Sequence, residues 1–355
     1  MAHPSSDLTM PPLLAITVVL AVIALTTFVV RALERRARLG GNRQRVALAD
    51  SVRRFLDGSL PATQLFRATE RLGEGTCWTV LEALSLRLTR REWLSLSGAL
   101  ARSRHAAAER RAMVSDSPWR RVLAARRLGL LRSRASWRAL RRAMVRGPAM
   151  VTHAAAIALA RYRDRGALRW ILAHQETLAS RHRNALVALL KAFGRSGLPV
   201  VAEALARGGS LPRFGLAMID ALGAARYRPA RPCFERFLAE GGLDQRIAAA
   251  RALGLAGDAG CATALLVALE DEAWQVRAQA ARALGRLRAA PASEALAHGL
   301  TDPSWWVRRH AAYALAELGD HGQAALRLIL ASSADRYARD MAREALDGEF
   351  ARRAG

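Results

Sequence analysis

Two stretches decide the fold of this chain: DEAWQVRAQAARALG at residues 271–285 and DPSWWVRRHAAYALA at residues 302–316. Asp, Trp, Val-Arg, Ala-Ala and Ala-Leu recur in them at the same offsets, 31 residues apart. The pattern continues in both directions, because residues 244–254 and residues 335–346 repeat its Arg and its Leu at the same spacing. A period of this length is typical of stacked helical hairpins.

Fainter copies of the repeat lie upstream. They are SPWRRVLAARRLG (117–129), THAAAIALA (152–160), RNALVALLKAFG (183–194) and FGLAMIDALG (214–223). The composition also favours helices, since 52% of the residues are hydrophobic but only 6% are aromatic. We therefore predict an all-α fold: an α-solenoid of about eight helical hairpins over residues 111–348, followed by a short tail at 349–355.

The repeated positions have simple structural interpretations. Val276, Ala280, Ala283 and Leu284 recur at intervals of three and four residues and predict the buried stripe of an amphipathic helix. Asp271 and its counterpart precede these helices, where a carboxylate can accept hydrogen bonds from free backbone amides. We expect the recurring arginines to form a ladder with the Asp side chains of neighbouring repeats; these arginines are Arg246, Arg277, Arg308 and Arg339.

The repeated segment is close to D-x-x-x-x-V-R-x-x-A-A-x-A-L-G and resembles the HEAT-like repeats of phycobilisome lyases. The resemblance covers roughly residues 110–347 and is specific in 244–316. It implies two antiparallel helices per repeat, with the second helices lining a concave face. Residues that project from these helices between the core positions are our candidates for partner binding: Arg251, Gln279, Arg282, His310 and Tyr313.

Trp305 and Trp306 complete this set of candidates, and Trp274 and Trp119 occupy related positions. Two interpretations remain open for these tryptophans. They pack at the turn into the second helix, or they form an exposed edge that anchors a partner, where Trp and Arg are over-represented.

Residues 11–30 contain no charged side chain and are long enough to span the hydrocarbon core of a bilayer. Four arginines follow this run within eight residues, and none precedes it. The sequence therefore predicts a transmembrane helix in the cytoplasmic membrane, with residues 1–10 outside and the repeats in the cytoplasm.

Residues 31–110 are predicted to be helical without the period, as a basic adaptor or cap between the membrane and the solenoid. The net charge is +18 over residues 31–146, +8 over 147–242 and zero over 243–355. The basic half fits an anionic lipid surface, an acidic protein, nucleic acid or a simply solvated surface. The candidates for contact with the membrane surface are Arg31, Arg35, Arg36, Arg38, Arg43 and Arg45.

No pattern in the sequence points to an enzyme. The histidines are scattered, and the His-Glu pairs that bind metal in HEAT-repeat hydroxylases are absent. There is no phosphate-binding glycine loop, and the three cysteines form no zinc pattern. We expect no cofactor, no metal and no small-molecule substrate.

The sequence thus favours a bacterial, membrane-anchored, non-enzymatic scaffold. We expect it to bind or regulate a protein partner at the cytoplasmic face of the membrane, and a membrane complex is one such partner. The alternative is a membrane-held solenoid that binds nucleic acid with its basic half.

Overall fold

The structure, a computed structural model, describes residues 44–257 and 259–354. Within these ranges the chain is helical and contains no β-strand. The helices are α1 (44–56), α2 (Ala62–Glu70), α3 (Glu74–Ser85), α4 (Arg90–Leu100), α5 (Arg104–Ala112), α6 (Pro118–Leu128), α7 (Arg134–Arg146), α8 (Ala149–Arg161), α9 (Arg165–Ala173), α10 (Arg183–Ala192), α11 (Leu198–Arg207), α12 (Pro212–Ala224), α13 (Arg231–Glu240), α14 (Leu243–Ala256), α15 (Ala262–Val267), α16 (Trp274–Leu287), α17 (Ser293–His298), α18 (Trp305–Glu317), α19 (Asp320–Ser332) and α20 (Arg336–Ala354). The prediction of an all-helical fold is confirmed for the described part of the chain.

None of the helices in the described ranges is both long and apolar enough to cross a membrane. This finding contradicts the predicted location, a single-pass protein of the cytoplasmic membrane, and we withdraw it together with the lipid contacts that depended on it. The described amphipathic helices cannot cross a membrane because each has a polar face, and the hydrocarbon of a bilayer would leave those polar groups without hydrogen-bond partners. The predicted span at residues 11–30 and the N-terminus at 1–10 lie outside the described residues.

The described chain forms two compact units, and the first comprises residues 44–111 together with 130–133. Its core contains Leu65, Trp78, Leu96 and Leu131, all almost fully buried. The helices α1 to α4 lie within the stretch 31–110 that the sequence predicts to be helical. At the start of α4, the Thr89 hydroxyl accepts from the Glu92 amide, and the Glu92 carboxylate accepts from the Thr89 amide at 2.8 Å. This reciprocal cap satisfies amides that the first turn leaves without a partner.

The second unit, residues 112–129 and 134–354, is a solenoid of paired helices. The second helices of the pairs are α6, α8, α10, α12, α14, α16, α18 and α20, and each packs against the next. We call this set the second-helix row. Its core follows the repeat, since Leu253, Leu284 and Leu315 are buried. α20 continues to Ala354 and includes residues 349–354 of the predicted C-terminal tail. They contain no proline, and alanine, arginine and glutamate favour continuation of the helix.

The arginine ladder is confirmed in the two most regular repeats. Arg246 pairs with Asp271 at 3.0 Å, and Arg277 pairs with Asp302 at 2.7 Å. Each arginine also donates to carbonyl oxygens of the loop before its own helix, as Arg277 does to Asp271 at 2.7 Å. The ladder stops at Arg308, because residue 333 is a serine where the earlier repeats have an aspartate. The guanidinium of Arg308 instead lies over the ring of Tyr337, at 5.1 Å from the centroid.

The repeated aspartates organise the loops in front of the second helices. Asp271 accepts from the amide of Ala273 at 2.8 Å, and Asp302 accepts from the amide of Ser304 at 2.7 Å. The aspartate of each loop thus accepts a hydrogen bond from a backbone amide of the same loop and pairs with the arginine of the preceding repeat. The loops in turn fix where the tryptophans at the start of α16 and α18 emerge.

Candidate partner-binding surface

One column of side chains runs across five consecutive second helices. Asp220, Arg251, Arg282, Tyr313 and Glu344 lie on α12, α14, α16, α18 and α20, each 31 residues after the last. Because they occupy the same position in successive repeats, they face the same side of the row. We call them the central column.

The side chains at both ends of the central column are hydrogen-bonded to one another or to a neighbouring helix. Arg251 donates to Asp220 at 2.8 Å, and Arg183 of α10 pairs with the same carboxylate. At the other end, the Tyr313 hydroxyl donates to Glu344 at 3.0 Å. The middle member, Arg282, makes no hydrogen bond or ion pair within the described ranges and is exposed. A positive charge therefore stands between two satisfied pairs.

The surroundings of Arg282 are also positive. Burial and then the charge of Arg282 lower the pKa of Arg286, and Arg251 lowers it further against the opposing effect of Glu317. Burial lowers the pKa of His310, and Arg282, Arg309 and Arg286 lower it further. His310 is consequently neutral near pH 7. The repeat has brought Arg282 and Arg286 together, an arrangement that an acidic group would stabilise. Arg309 already has such a group, because it pairs with Glu344 at 3.3 Å.

An aromatic cluster borders this charge on α18. The rings of Trp305 and Trp306 meet edge to face at 4.7 Å, and the ring of His310 lies 6.5 Å from that of Trp306. The guanidinium of Arg309 lies 5.4 Å from the ring centroid of Trp305 and 5.2 Å from that of Tyr313. Trp305 is 43% exposed and Trp306 is 48% exposed.

Residues 262–347 match the family model for HEAT repeats. The match contains the central column from Arg282 to Glu344 and the whole aromatic cluster. No curated protein sequence matches the chain. The HEAT-repeat match and the helix pairs agree with the repeat that the sequence shows.

Several solved structures resemble the chain. An engineered protein is 18% identical, with 86% of this chain and 99% of that chain covered, at a TM-score of 0.40. Human deoxyhypusine hydroxylase in complex with glycerol is 22% identical, with coverages of 88% and 99%, at 0.31. The complex of CpcE and CpcF of phycocyanin lyase from Nostoc sp. PCC7120 is 19% identical, with coverages of 68% and 93%, at 0.28. At such TM-scores these similarities carry no argument about what this chain does.

The structure places the predicted site residues of the solenoid on neighbouring helices. Arg251, Arg282 and Tyr313 share the central column, and Trp305, Trp306 and His310 lie beside it on α18. Gln279 is half-buried on α16, at the repeat position that His310 occupies on α18. Of the membrane-surface candidates, Arg45 is exposed, whereas Arg31, Arg35, Arg36, Arg38 and Arg43 lie outside the described residues.

Four residues of this surface escaped the sequence reasoning: Asp220, Arg286, Arg309 and Glu344. Extending the 31-residue spacing by one repeat in each direction would have found Asp220 and Glu344. Arg286 and Arg309 carry no such signal, because the equivalent positions in other repeats hold different residues. In the described part of the chain, no group of three His, Cys, Asp or Glu side chains could hold a metal ion.

Proposed function

We propose that the chain is a non-enzymatic scaffold whose HEAT-repeat unit binds a protein partner around Arg282. The contact area is the distal surface, defined as Arg251, Arg282, Arg286, Trp305, Trp306, Arg309, His310 and Tyr313. The observation that carries the proposal is the uncompensated charge of Arg282 between two hydrogen-bonded pairs and beside an exposed tryptophan pair.

The chemistry of the distal surface defines the partner. Exposed Trp and Arg side chains are the residue types that contribute most to protein interfaces when they become buried. We expect the partner to place a carboxylate beside Arg282 and Arg286, because burying either positive charge without a counter-charge is unfavourable in free energy. Trp305 and Trp306 call for an apolar side chain beside that carboxylate. A solenoid suits this use, since its stacked repeats present a long surface of fixed spacing.

Immobilised full-length protein, compared with single variants by quantitative mass spectrometry, tests the proposal. Arg282→Glu reverses the central charge, and Trp306→Ala removes an aromatic anchor. The matched controls are Arg195→Glu in the turn before α11 and Leu328→Ala on α19, both exposed and not part of the distal surface. We expect a specific protein whose retention falls about tenfold in both test variants and stays unchanged in both controls.

A retained protein supports the proposal only if the purified pair binds directly and Arg282→Glu weakens that binding. Equal retention by wild type and Arg282→Glu would contradict the distal surface. The alternative, nucleic acid bound by the basic half, predicts duplex DNA binding that weakens steeply with salt and is insensitive to Trp306→Ala.

A further inference from the structure

A cavity of about 310 Å³ opens between the second helices α6 and α8, several repeats upstream of the distal surface. Its lining residues come from α6, from α8 and from the segment before α10. They are Trp119, Val122, Arg126, Met150, His153, Ala154, Ile157, Ala158, Arg161 and Arg181. All of them belong to the second compact unit.

The wall of this α6–α8 cavity is largely apolar. Val122, Met150 and Ile157 contribute aliphatic or thioether surface, and the indole of Trp119 stands 73% exposed at its edge. A tryptophan this exposed is not explained by packing. It offers a large apolar surface to whatever enters the cavity.

The polar residues of the cavity are all basic or neutral. Three arginines and one histidine line it, and no acidic residue does. The Nδ1 atom of His153 and the Nε atom of Arg181 are buried and have no hydrogen-bond partner among the described residues. Burial and then the charge of Arg181 lower the pKa of His153. Buried polar atoms of proteins are nearly always hydrogen-bonded, so two such atoms beside one cavity require an explanation.

We propose that the α6–α8 cavity binds a small amphiphilic carboxylate, with its apolar body against Trp119 and Ile157 and its acid group at His153 and Arg181. The acid can accept hydrogen bonds from the guanidinium of Arg181 and, in the tautomer that carries a proton on Nδ1, from the ring of His153. Its charge also complements the arginines at the rim.

Two features favour a small molecule over a segment of a partner protein. The volume lies at the lower end of the range for small-molecule pockets. His153 and Arg181 both line the cavity, so an acid group that reaches them lies inside it rather than across its mouth. This site is separate from the distal surface and does not depend on the proposed scaffold function.

Isothermal titration of the full chain with dodecanoate, below the concentration at which it forms micelles, tests the site. Dodecyltrimethylammonium has the same tail with the opposite charge, and acetate has the acid group alone. Ile157→Trp fills the cavity, and Arg181→Gln removes the charge at its polar end. Val267→Trp and Arg195→Gln make the same changes at exposed positions elsewhere. Circular dichroism establishes that each variant is folded.

We expect dodecanoate to saturate a single site and to bind about tenfold more weakly to Ile157→Trp and to Arg181→Gln, because each loses contact area or a charged hydrogen bond. The two control variants should change the affinity less than about twofold. If Ile157→Trp fails to fold, the affinity of Arg181→Gln for dodecanoate tests the proposal by itself.

Three results would overturn the proposal. Equal binding of dodecanoate and dodecyltrimethylammonium would show unspecific apolar adsorption. Unchanged binding to folded Ile157→Trp would place the ligand elsewhere. Binding of the peptide acetyl-Glu-Glu-Leu-Phe-Glu-Glu-amide, lost in Ile157→Trp, with no binding of dodecanoate, would assign the cavity to a protein segment.

Discussion

A Cβ atom added to Gly254 of α14 would lie 2.7 Å from the Cβ atom of Ala283 on α16. The same approach recurs between Gly223 and Ala252, at 2.8 Å. Successive second helices therefore touch through a glycine on one helix and an alanine on the next. The small residues set the distance between repeats, because any side chain at the glycine would push the backbones apart.

Gly254→Ala should destabilise the solenoid by about 1–3 kcal/mol, since overpacking a close contact forces the backbone to shift. Urea unfolding followed by circular dichroism measures the change. The matched control is Gly215→Ala on α12, where an added Cβ meets only the Ser210 Cβ at 4.0 Å. Gly215→Ala should stabilise the protein by about 0.5–1 kcal/mol, because alanine loses less conformational entropy than glycine when the chain folds. A Gly254→Ala protein as stable as wild type would show that the repeats separate freely.

The ion pair between Arg277 and Asp302 should contribute measurably, because both side chains are largely shielded from water. A double-mutant cycle with Arg277→Ala and Asp302→Ala should give a coupling of about 1.5–3 kcal/mol. The exposed pair of Arg207 and Glu203 on α11 is the control. Its coupling should stay below about 0.5 kcal/mol. Similar couplings in the two pairs would mean that the ladder does not stabilise the fold.

The pH dependence of stability should show the two histidines with lowered pKa, His153 and His310. Arg181 faces the first, and Arg282, Arg286 and Arg309 face the second. In the unfolded chain both titrate near their ordinary pKa of 6.5. The unfolded state therefore binds more protons than the folded state just below that pH, and stability falls as the pH drops through about 6.5.

Thermal unfolding between pH 8 and pH 5 measures this loss. Replacing both histidines by glutamine should flatten the curve in that interval, whereas the loss at more acidic pH should remain. The lowered pKa of Asp302 belongs to that acidic interval, because its contribution disappears only as the pH falls below its ordinary value of 3.8. An unchanged slope between pH 8 and pH 5 in the double variant would contradict the assignment.

The central column predicts opposite effects for two equivalent arginines. Arg282→Ala should raise stability slightly, because it removes repulsion from its arginine neighbours. Arg251→Ala should lower stability by about 0.5 kcal/mol, because it leaves Asp220 with one partner fewer. Unfolding at low and high salt provides the measurement. Salt should shrink the difference between the variants, and a difference that persisted unchanged would exclude an electrostatic origin.

The sequence determined the repeat. The apolar spacing of three and four residues, the period of 31 and the recurrent aspartates sufficed to predict the helices, their buried faces and the pairing of Arg277 with Asp302. These features are local or repeat at a fixed distance along the chain, so one linear pattern encodes them. The predicted membrane location was wrong. It rested on residues 11–30, which lie outside the described residues, and none of the described helices is long and apolar enough to cross a membrane.

Only the tertiary structure decided which side chains remain available for binding. The identities of Arg282 and Arg251 are the same, and their positions in the repeat are equivalent. Arg251 is hydrogen-bonded to a carboxylate from the preceding helix, whereas Arg282 faces Arg286 and His310. In the same way, Trp119, His153 and Arg181 line one cavity although they are up to 62 positions apart in the sequence. Charge compensation and cavity formation depend on what neighbouring helices bring into contact, and no local pattern in the sequence records that.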